Sequence, residues 1–274
     1  MIWRRALALA TGLAASAAPA ARLVAQVLPP PPARYLLTAD VDDARALWVN
    51  PAGLARHLEA SIGADIGAER FSGPAVQLSQ YGATVSSRGL AVSWIHDRYP
   101  GDTTVNAYAV GFGLGDERFS AGVTRRWYRG RVSYSAWDVG LRAATENGVQ
   151  LSLVGRGLGS PLPDSDRPTL VPGASVTLLE GALQFGAEWE VATKGWRSQE
   201  IRAGATASLG RALALSARAD LAPDLKRRRI VLALTWSPSE ARVSTFAGLA
   251  GGLNEIDEFG ASGALVALSP PSRR

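Results

Sequence analysis

From residue 59 onward, hydrophobic and polar residues alternate along the chain with a period of two. In the run 181–193, Leu183 and Trp189 fall on one face. Glu188 and Glu190 fall on the other face. Because successive side chains of a β-strand point to opposite sides, this pattern predicts strands that have one apolar and one polar face.

Fourteen such runs follow one another to the end of the chain. They cover approximately residues 59–67, 74–86, 89–96, 104–114, 117–127, 132–145, 149–158, 169–179, 181–193, 198–209, 212–222, 229–237, 241–250 and 257–268. Most of them supply the roughly 9–11 residues that a membrane-spanning strand needs. The array therefore predicts an all-β fold of about fourteen strands.

The links between these runs alternate between short turns and longer polar segments. The short turns are 87–88, 115–116, 146–148, 180–181, 210–211 and 238–240. The longer links are 68–73, 97–103, 128–131, 159–168, 194–197, 223–228 and 251–256. Transmembrane β-barrels sort their links in this way, whereas a soluble β-sandwich has no reason to do so. We therefore expect a transmembrane antiparallel barrel, with both ends of the strand array, and the arriving N-terminal chain, on the short-turn side.

The N-terminal residues are typical of a secretory signal. Arg4 and Arg5 precede the apolar run 6–18, which is too short to span a membrane as a helix. We predict a signal peptide at residues 1–26. Residues 27–37 contain four consecutive prolines, which predict an extended spacer.

One helix-patterned segment, residues 38–58, lies between the spacer and the strands. Its apolar residues at helical spacing are Val41, Ala44, Leu47 and Trp48. We expect Asp40 and Asp43 in the first helical turn, where the helix dipole favours carboxylates. Asn50 precedes a proline and is expected to end this helix, and it can cap a second short helix that starts at Pro51.

The sequence ALWVNPAGLA at residues 46–55 resembles the N-terminal signature of the FadL/TodX-type outer-membrane transporter superfamily, which includes PorV-like barrels. In that superfamily an acidic, Ala-rich segment ends in a W/Y-x-NPAGL motif, and the resemblance covers roughly residues 38–58. The resemblance implies a hatch that moves to release hydrophobic small molecules, with Asn50, Pro51 and Ala52 at its hatch positions. The candidate plug residues are Asp40, Asp42, Asp43, Trp48, Asn50, Pro51, Ala52 and Gly53.

These observations predict a barrel over residues 59–270 with a short helical N-terminal plug at 38–58. If the apolar faces meet lipid, the polar faces form the lumen, because a lipid-facing arginine near the midplane would cost about 2–4 kcal/mol. The predicted lumen-lining residues are Arg126, Asp138, Arg142, Arg156, Glu188, Glu190, Arg202, Arg218 and Asp220. Their charges could guide a ligand or grip the plug, or they could form an ion-pair network that only fills the interior.

Two further expectations concern side-chain placement. An ion-pair network that fills the interior could pair the lumenal arginines at 142, 202 and 218 with the plug aspartates at 40, 42 and 43. Aromatic residues amount to 7% of the chain, so any girdle at the membrane interfaces is partial. The girdle candidates are Trp94, Trp127, Tyr128, Trp137, Trp189, Trp196 and Trp236.

Composition excludes several functional classes. The chain has no cysteine, so it has no disulfide, thiolate metal site or catalytic thiol. The formal charge of +5 falls to 5 − 3 = +2 without the three arginines of residues 1–26, so a nucleic-acid partner is not expected. His57 and His96 are the two histidines, and neither indicates a catalytic group. Asp164 and Asp166 are weak evidence for calcium, and we expect no enzyme activity, metal or cofactor.

The sequence thus predicts an exported outer-membrane barrel, surrounded by lipid, that passes hydrophobic, fatty-acid-like molecules. Two alternatives remain open. The outer links are short compared with the ligand-capturing insertions of the fatty-acid transporters, so a PorV-like barrel that scaffolds or shuttles secreted proteins is one alternative. A structural barrel that transports nothing is the other.

Overall fold

The computed structural model describes residues 33–56, 59–70, 75–99, 103–130, 133–160, 168–210, 212–238, 241–250 and 256–267. The predicted signal peptide, spacer residues 27–32, His57 and the aspartates at 164 and 166 lie outside the described residues.

Fourteen antiparallel strands form one closed barrel. They are β1 (Ala60–Glu69), β2 (Gln77–Ser87), β3 (Leu90–Tyr99), β4 (Thr103–Gly115), β5 (Phe119–Arg129), β6 (Tyr134–Ala144), β7 (Val149–Leu158), β8 (Thr169–Leu178), β9 (Leu183–Ala192), β10 (Arg197–Ser208), β11 (Leu213–Leu221), β12 (Arg227–Trp236), β13 (Ala241–Ala250) and β14 (Glu258–Ala267). Neighbours in the chain pair with each other, and β1 closes the sheet against β14 from Ala60↔Ala267 to Glu69↔Glu258. The predicted strand number is confirmed.

The two faces of this sheet differ in chemistry because the side-chain period is two. On β9, Trp189 is 47% exposed on the outer wall, whereas its neighbour Glu188 is 4% exposed. The outer wall carries large apolar side chains such as Ile62, Leu153 and Leu232 on strands from all parts of the barrel. Charged side chains within the strands lie mainly on the inner face.

The difference in link length is smaller than the sequence predicts. β3 continues to Tyr99 and β4 begins at Thr103, so the predicted long link 97–103 is reduced to residues 100–102. Inner residues of β3 and β4 take part in the barrel core near these ends, including Ile95 and Val105. This packing favours strand over loop. We call the end that holds these links the long-link end and the opposite end the short-turn end.

Residues 33–56 form an irregular segment with little helix. A four-residue helix, α1 (Ala46–Val49), is followed by a 3-10 helix at Pro51–Arg56. The expected longer helix, with Asp40 and Asp43 in its first turn, is wrong. The observed helix α1 begins only at Ala46 and has no acidic residue in its first turn. Asp43 instead accepts a hydrogen bond from the Arg45 main-chain nitrogen at 2.8 Å in the turn that precedes α1. Among the described residues, no helix has the length and apolar character needed to cross a membrane.

This segment runs from the long-link end of the barrel to the short-turn end. Arg34 forms ion pairs with Glu69 at 3.1 Å and Glu258 at 2.6 Å, which lie at the long-link ends of β1 and β14. Leu54 and Ala55 lie close to Gly89 and Gly113, which belong to the short-turn end. The chain therefore does not arrive at the short-turn end directly from the spacer, as the sequence suggests. It passes the length of the barrel first.

Candidate functional site

Residues 33–56 lie inside the barrel, and we call them the lumenal segment. Their side chains and main chain contact strands around the whole circumference: Arg34 contacts β1 and β14, Trp48 contacts β3, and Thr38 contacts β7 and β9. A segment that touches opposite walls of a closed sheet must occupy its lumen. Residues 33–37, which the sequence assigns to the spacer, belong to the same lumenal path.

On the β4–β6 wall, which we call the glycine wall, Gly113, Gly122 and Gly140 let the lumenal segment approach the strand backbone. A Cβ atom on Gly113 would lie 2.5 Å from the main-chain nitrogen of Ala55. A Cβ atom on Gly122 would lie 2.7 Å from the main-chain nitrogen of Ala52. Gly140 lies against the side chain of Asn50 in the same way. A larger residue at these positions would push the 3-10 helix off the wall.

Asn50 joins three parts of the site. Its Oδ1 accepts a hydrogen bond from the Ala52 main-chain nitrogen at 3.1 Å, so the predicted N-cap is confirmed. Its Nδ2 donates to the Thr38 carbonyl oxygen at 2.8 Å and to the Leu141 carbonyl oxygen at 3.4 Å. Asn50 is fully buried, and this one side chain therefore holds both halves of the lumenal segment against β6.

Other NPAGL residues complete the fold of the segment. Pro51 starts the 3-10 helix, and Ala52 is fully buried. A Cβ atom on Gly53 would lie 2.9 Å from the Ala46 side chain, so glycine lets the 3-10 helix fold back onto α1. Trp48 donates from Nε1 to Ser93 Oγ at 3.1 Å and lies 5.7 Å below the guanidinium of Arg126.

Five carbonyl oxygens of the lumenal segment accept hydrogen bonds from side chains. The pairs are Arg218 with Leu36 at 3.4 Å, Asn50 with Thr38 at 2.8 Å, Arg142 with Val41 at 3.1 Å, Thr124 with Leu47 at 3.3 Å, and Arg156 with Val49 at 3.2 Å. An irregular segment leaves many carbonyl groups without main-chain donors, and buried carbonyls need partners. Among the described residues, Arg142, Arg202 and Arg218 form none of the predicted salt bridges with the plug aspartates, although the charge of Arg142 lies close enough to Asp40 to lower the pKa of that carboxyl.

The remaining predicted lumenal charges pair mainly with one another. Arg202 binds Glu188 at 2.6 Å and also contacts Glu190 and Glu200. Arg218 binds Asp220 at 2.7 Å, and Arg126 pairs with Asp138. Glu190 accepts a hydrogen bond from Thr169 Oγ1 at 3.1 Å, Asp138 accepts one from the Gly157 main chain at 2.9 Å, and Glu188 accepts one from the Thr38 main chain at 2.6 Å. These contacts form a charged belt on the β5–β11 wall.

Asp43 lies on the opposite side of the lumenal segment, between two arginines. Its carboxylate pairs with Arg45 at 2.7 Å and with Arg242 of β13. The two guanidinium groups hold the pKa of Asp43 well below its usual range, although burial opposes them. The Arg45 guanidinium also contacts Tyr35 and donates to Ser244 Oγ at 3.3 Å. The sequence did not indicate Arg45 or Arg242 as site residues.

Asp40 has weaker electrostatic compensation. It accepts a hydrogen bond from Gln184 Nε2 at 2.8 Å. Burial raises the pKa of Asp40 to about 6, and the nearby Ser175 hydroxyl and the charge of Arg142 counteract only part of this effect. Asp40 therefore changes its charge in the mildly acidic range.

Two cavities lie beside the lumenal segment, near the short-turn end, on the side away from the glycine wall. One, of about 420 Å³, lies against β9–β12 and is lined by Leu36, Asp40, Thr206 and Ser216 among others. The other, of about 380 Å³, lies against β1 and β14. Residues that line both are Asp42, Arg45, Ser237 and Arg242. The Arg45–Asp43–Arg242 cluster thus lies between the two cavities.

Some candidate residues have only structural contacts. His96 Nδ1 lies 3.0 Å from Asn106 Oδ1, and its ring packs beside Tyr81. Tyr128, a girdle candidate, is 5% exposed and stacks on Tyr134 at 4.5 Å, so its placement on the outer wall is wrong. It follows Trp127 directly, and neighbouring residues of a strand cannot share a face. In the described part of the chain, no group of His, Asp and Glu has the arrangement of a metal site.

Comparisons with known proteins give a structural likeness only. No protein-family profile matches the sequence, and no curated protein sequence matches it. The chain is similar in structure to the Pseudomonas putida toluene transporter TodX, with 11% identity, a TM-score of 0.56, and coverage of 89% of this chain and 98% of that chain. It is also similar to the Ralstonia pickettii toluene transporter TbuX, with 9% identity, a TM-score of 0.56, and coverage of 86% and 97%. The fold is that of these closed barrels.

Proposed function

We propose that the protein is an outer-membrane barrel that passes small hydrophobic molecules through its lumen, beside the lumenal segment. The observation that carries this proposal is the one-sided packing of that segment. Gly113, Gly122 and Gly140 of the β4–β6 wall pack directly against it, whereas cavities of about 420 and 380 Å³ lie on its other side. A route on that side would pass these cavities and leave the contacts of the segment with the glycine wall in place.

Placement in the outer membrane is supported by the apolar outer wall, by the predicted signal peptide and by the similarity to TodX and TbuX. A closed antiparallel barrel has no unpaired strand edge, which is the condition for crossing a bilayer with strands. Apolar residues dominate the outer face between the strand ends. Burying them in lipid is favourable, and exposing them to water is not.

The substrate class rests on the resemblance of the NPAGL segment to the transporter superfamily and on the toluene transport that the names of TodX and TbuX state. The cavity against β9–β12 has a mixed lining, with Leu36, Leu37 and Ala214 beside Thr206, Ser216 and the charged residues Asp40, Asp42, Arg45 and Arg242. Such a surface suits a small molecule with apolar carbon and at most a few polar atoms.

The experiment compares uptake into liposomes for two tryptophan substitutions on the same strand. Ser216→Trp places an indole in the cavity, whereas Leu215→Trp places it on the outer wall, where Leu215 is 48% exposed. We expect Ser216→Trp to reduce uptake of toluene and of a fluorescent fatty acid several-fold and Leu215→Trp to leave it unchanged. Uptake by the wild-type barrel that is no faster than by empty liposomes would overturn the transport proposal.

A second candidate is a permanently closed structural barrel. The observation in its favour is the number of buried hydrogen bonds that hold the lumenal segment, including the five from side chains to its carbonyl oxygens. A barrel of this kind would assemble in membranes and would show no uptake of apolar or polar probes in the same liposome experiment.

A further inference from the structure

The outer wall of β2–β6 carries basic side chains among aromatic ones near the long-link end. The outward basic residues of these five strands are His96, Arg98, Arg125 and Arg129. The strands contain two acids, Asp97 and Asp138, and both belong to the inner face. Asp138 is 1% exposed and pairs with Arg126, and Asp97 accepts a hydrogen bond from buried Gln80. On the outer surface of these five strands, the charged side chains are therefore basic and none is acidic.

Arg125 differs from the other three because it is farther from the strand end. It lies four residues before the last residue of β5, and its register partners on the two neighbouring strands are Val110 and Trp137. These partners are 43% and 41% exposed on the apolar outer wall. A guanidinium at such a position is costly in lipid unless it reaches the interface or an anion.

The Arg125 side chain extends toward the long-link end between two indole rings. Its guanidinium carbon lies 4.7 Å from the centre of the Trp137 ring and 5.9 Å from the centre of the Trp127 ring. Its Nη2 donates to Ser135 Oγ at 2.6 Å, and Ser135 is one outward position nearer the long-link end than Trp137. Stacking on indoles orients the flat guanidinium and keeps its edge open.

An aromatic row marks the membrane interface at this height. Trp94 of β3, Tyr108 of β4 and Trp127 of β5 are consecutive register partners on the outer wall. Tryptophan and tyrosine are enriched where the apolar core of a bilayer meets its headgroups. The guanidinium of Arg125 extends to the level of Trp127 and thus to the level of lipid headgroups.

We propose that Arg125, held between Trp127 and Trp137, binds the phosphate of a lipid headgroup in the leaflet at the long-link end. The proposal rests on the proposed placement of the barrel in the outer membrane. Ser135 is the one hydrogen-bond partner of Arg125 among the described residues, and a guanidinium has five N–H donors. A phosphate offers several acceptor oxygens in a geometry that matches the guanidinium fork. Arg98 and Arg129, at the rim, add attraction for the same anion.

The test measures lipid binding to the purified barrel in neutral detergent by native mass spectrometry. The probe is lipid A, a glycolipid with two phosphate groups, and the reference is the same lipid after enzymatic removal of both. Wild-type protein is expected to bind lipid A roughly tenfold more tightly than the reference, which is the strength of one charge-assisted contact. Arg125→Leu is expected to remove this preference.

Arg228→Leu is the matched control, because Arg228 is an exposed arginine at the long-link end of β12, on another part of the wall. It should keep the phosphate preference, and Arg125→Lys, which keeps the charge without the fork, should show a smaller one. Equal binding of both lipids by the wild type, or an equal loss in the Arg228 variant, would overturn the proposal. Failure of the wild type to insert into lipid vesicles would overturn the membrane placement, and the lipid site with it.

Discussion

The main chain of Gly122 on β5 lies directly against the peptide group that joins Pro51 and Ala52. The distance from the position of a Cβ atom on Gly122 to the Ala52 nitrogen is 2.7 Å. Such a contact leaves no room for any side chain on the strand. The sequence feature that resembles a family signature is therefore fixed by a barrel residue that carries no side chain at all.

Gly122→Ala should release the 3-10 helix from the wall while the barrel still closes. Overpacking of this kind costs about 1–3 kcal/mol. The readout is a single cysteine introduced at buried Ala55, in a chain that has none of its own, labelled by a water-soluble maleimide. Gly263→Ala is the control, since a Cβ atom there would have nothing within 4 Å. Equal labelling in both variants would show that a side chain at position 122 does not displace the 3-10 helix.

Substitutions of Asn50 separate its two hydrogen-bonding roles. Asn50→Asp keeps the acceptor that caps Ala52 and loses the donor to Thr38, whereas Asn50→Ala loses both. A buried group without its partner costs about 1–3 kcal/mol, and the Asp variant in addition turns a carboxylate toward the carbonyl oxygens of Thr38 and Leu141, so we expect labelling at Ala55→Cys to increase in the order wild type, Ala, Asp. An Ala variant that labels as slowly as the wild type would mean that the hydrogen bonds of Asn50 contribute nothing to the hold on the segment.

The hold on the lumenal segment should weaken as pH rises through the titration of Asp40. The pKa of Asp40 is about 6 in the docked segment and 3.8 in water, so docking favours the protonated form. The stabilisation is therefore present at low pH and is lost as pH rises to about 6, by at most about 3 kcal/mol. The groups that face Asp40 are Gln184, Ser175, Arg142, Glu188 and Asp42.

Labelling of Ala55→Cys, divided by that of a cysteine at exposed Glu146, should accordingly rise between pH 5 and pH 7. Asp40→Asn cannot change its charge, so its labelling ratio should stay constant over this range. A pH dependence that persists in Asp40→Asn would assign the effect to another group.

Asp43→Asn should join the two cavities without releasing the lumenal segment. It weakens the ion pairs with Arg45 and Arg242 that lie between them. In planar bilayers we expect a higher single-channel conductance than for the wild type, together with unchanged labelling at Ala55→Cys. Arg118→Ala, which breaks an exposed ion pair with Glu146 at the short-turn end, is the control and should leave conductance unchanged. Increased labelling in Asp43→Asn would instead identify Asp43 as an anchor of the segment.

The strands were predictable because the apolar outer wall and the polar lumen need opposite chemistry on alternate residues, so the period of two persists through the whole array. The Asn50 cap was predictable because it depends on residues that are adjacent in the chain. The partners of Arg142 and Arg218 were not predictable in this way. Their partners in the lumenal segment are the main-chain carbonyls of Val41 and Leu36, and a carbonyl group has no signal in the sequence.

The glycine wall was equally hidden in the sequence. Gly113, Gly122 and Gly140 look like ordinary breaks in an alternating pattern, and their role depends on which segment faces them. Arg45 and Arg242 are separated by almost two hundred residues, and only barrel closure brings them to one carboxylate. Contacts of this kind depend on the three-dimensional path of the chain before β1.

That path has a consequence for how the protein is assembled. Arg34 is at the long-link end, Arg56 is near the short-turn end, and the seam between β1 and β14 joins the first strand to the last. Drawing the segment through a finished cylinder would require its buried charges and tryptophan to pass the charged belt. Wrapping the sheet around a segment synthesised before any strand avoids that barrier. We therefore expect the last strand to close the wall over a segment already in position, so that the sheet forms around residues 33–56 instead of receiving them afterwards.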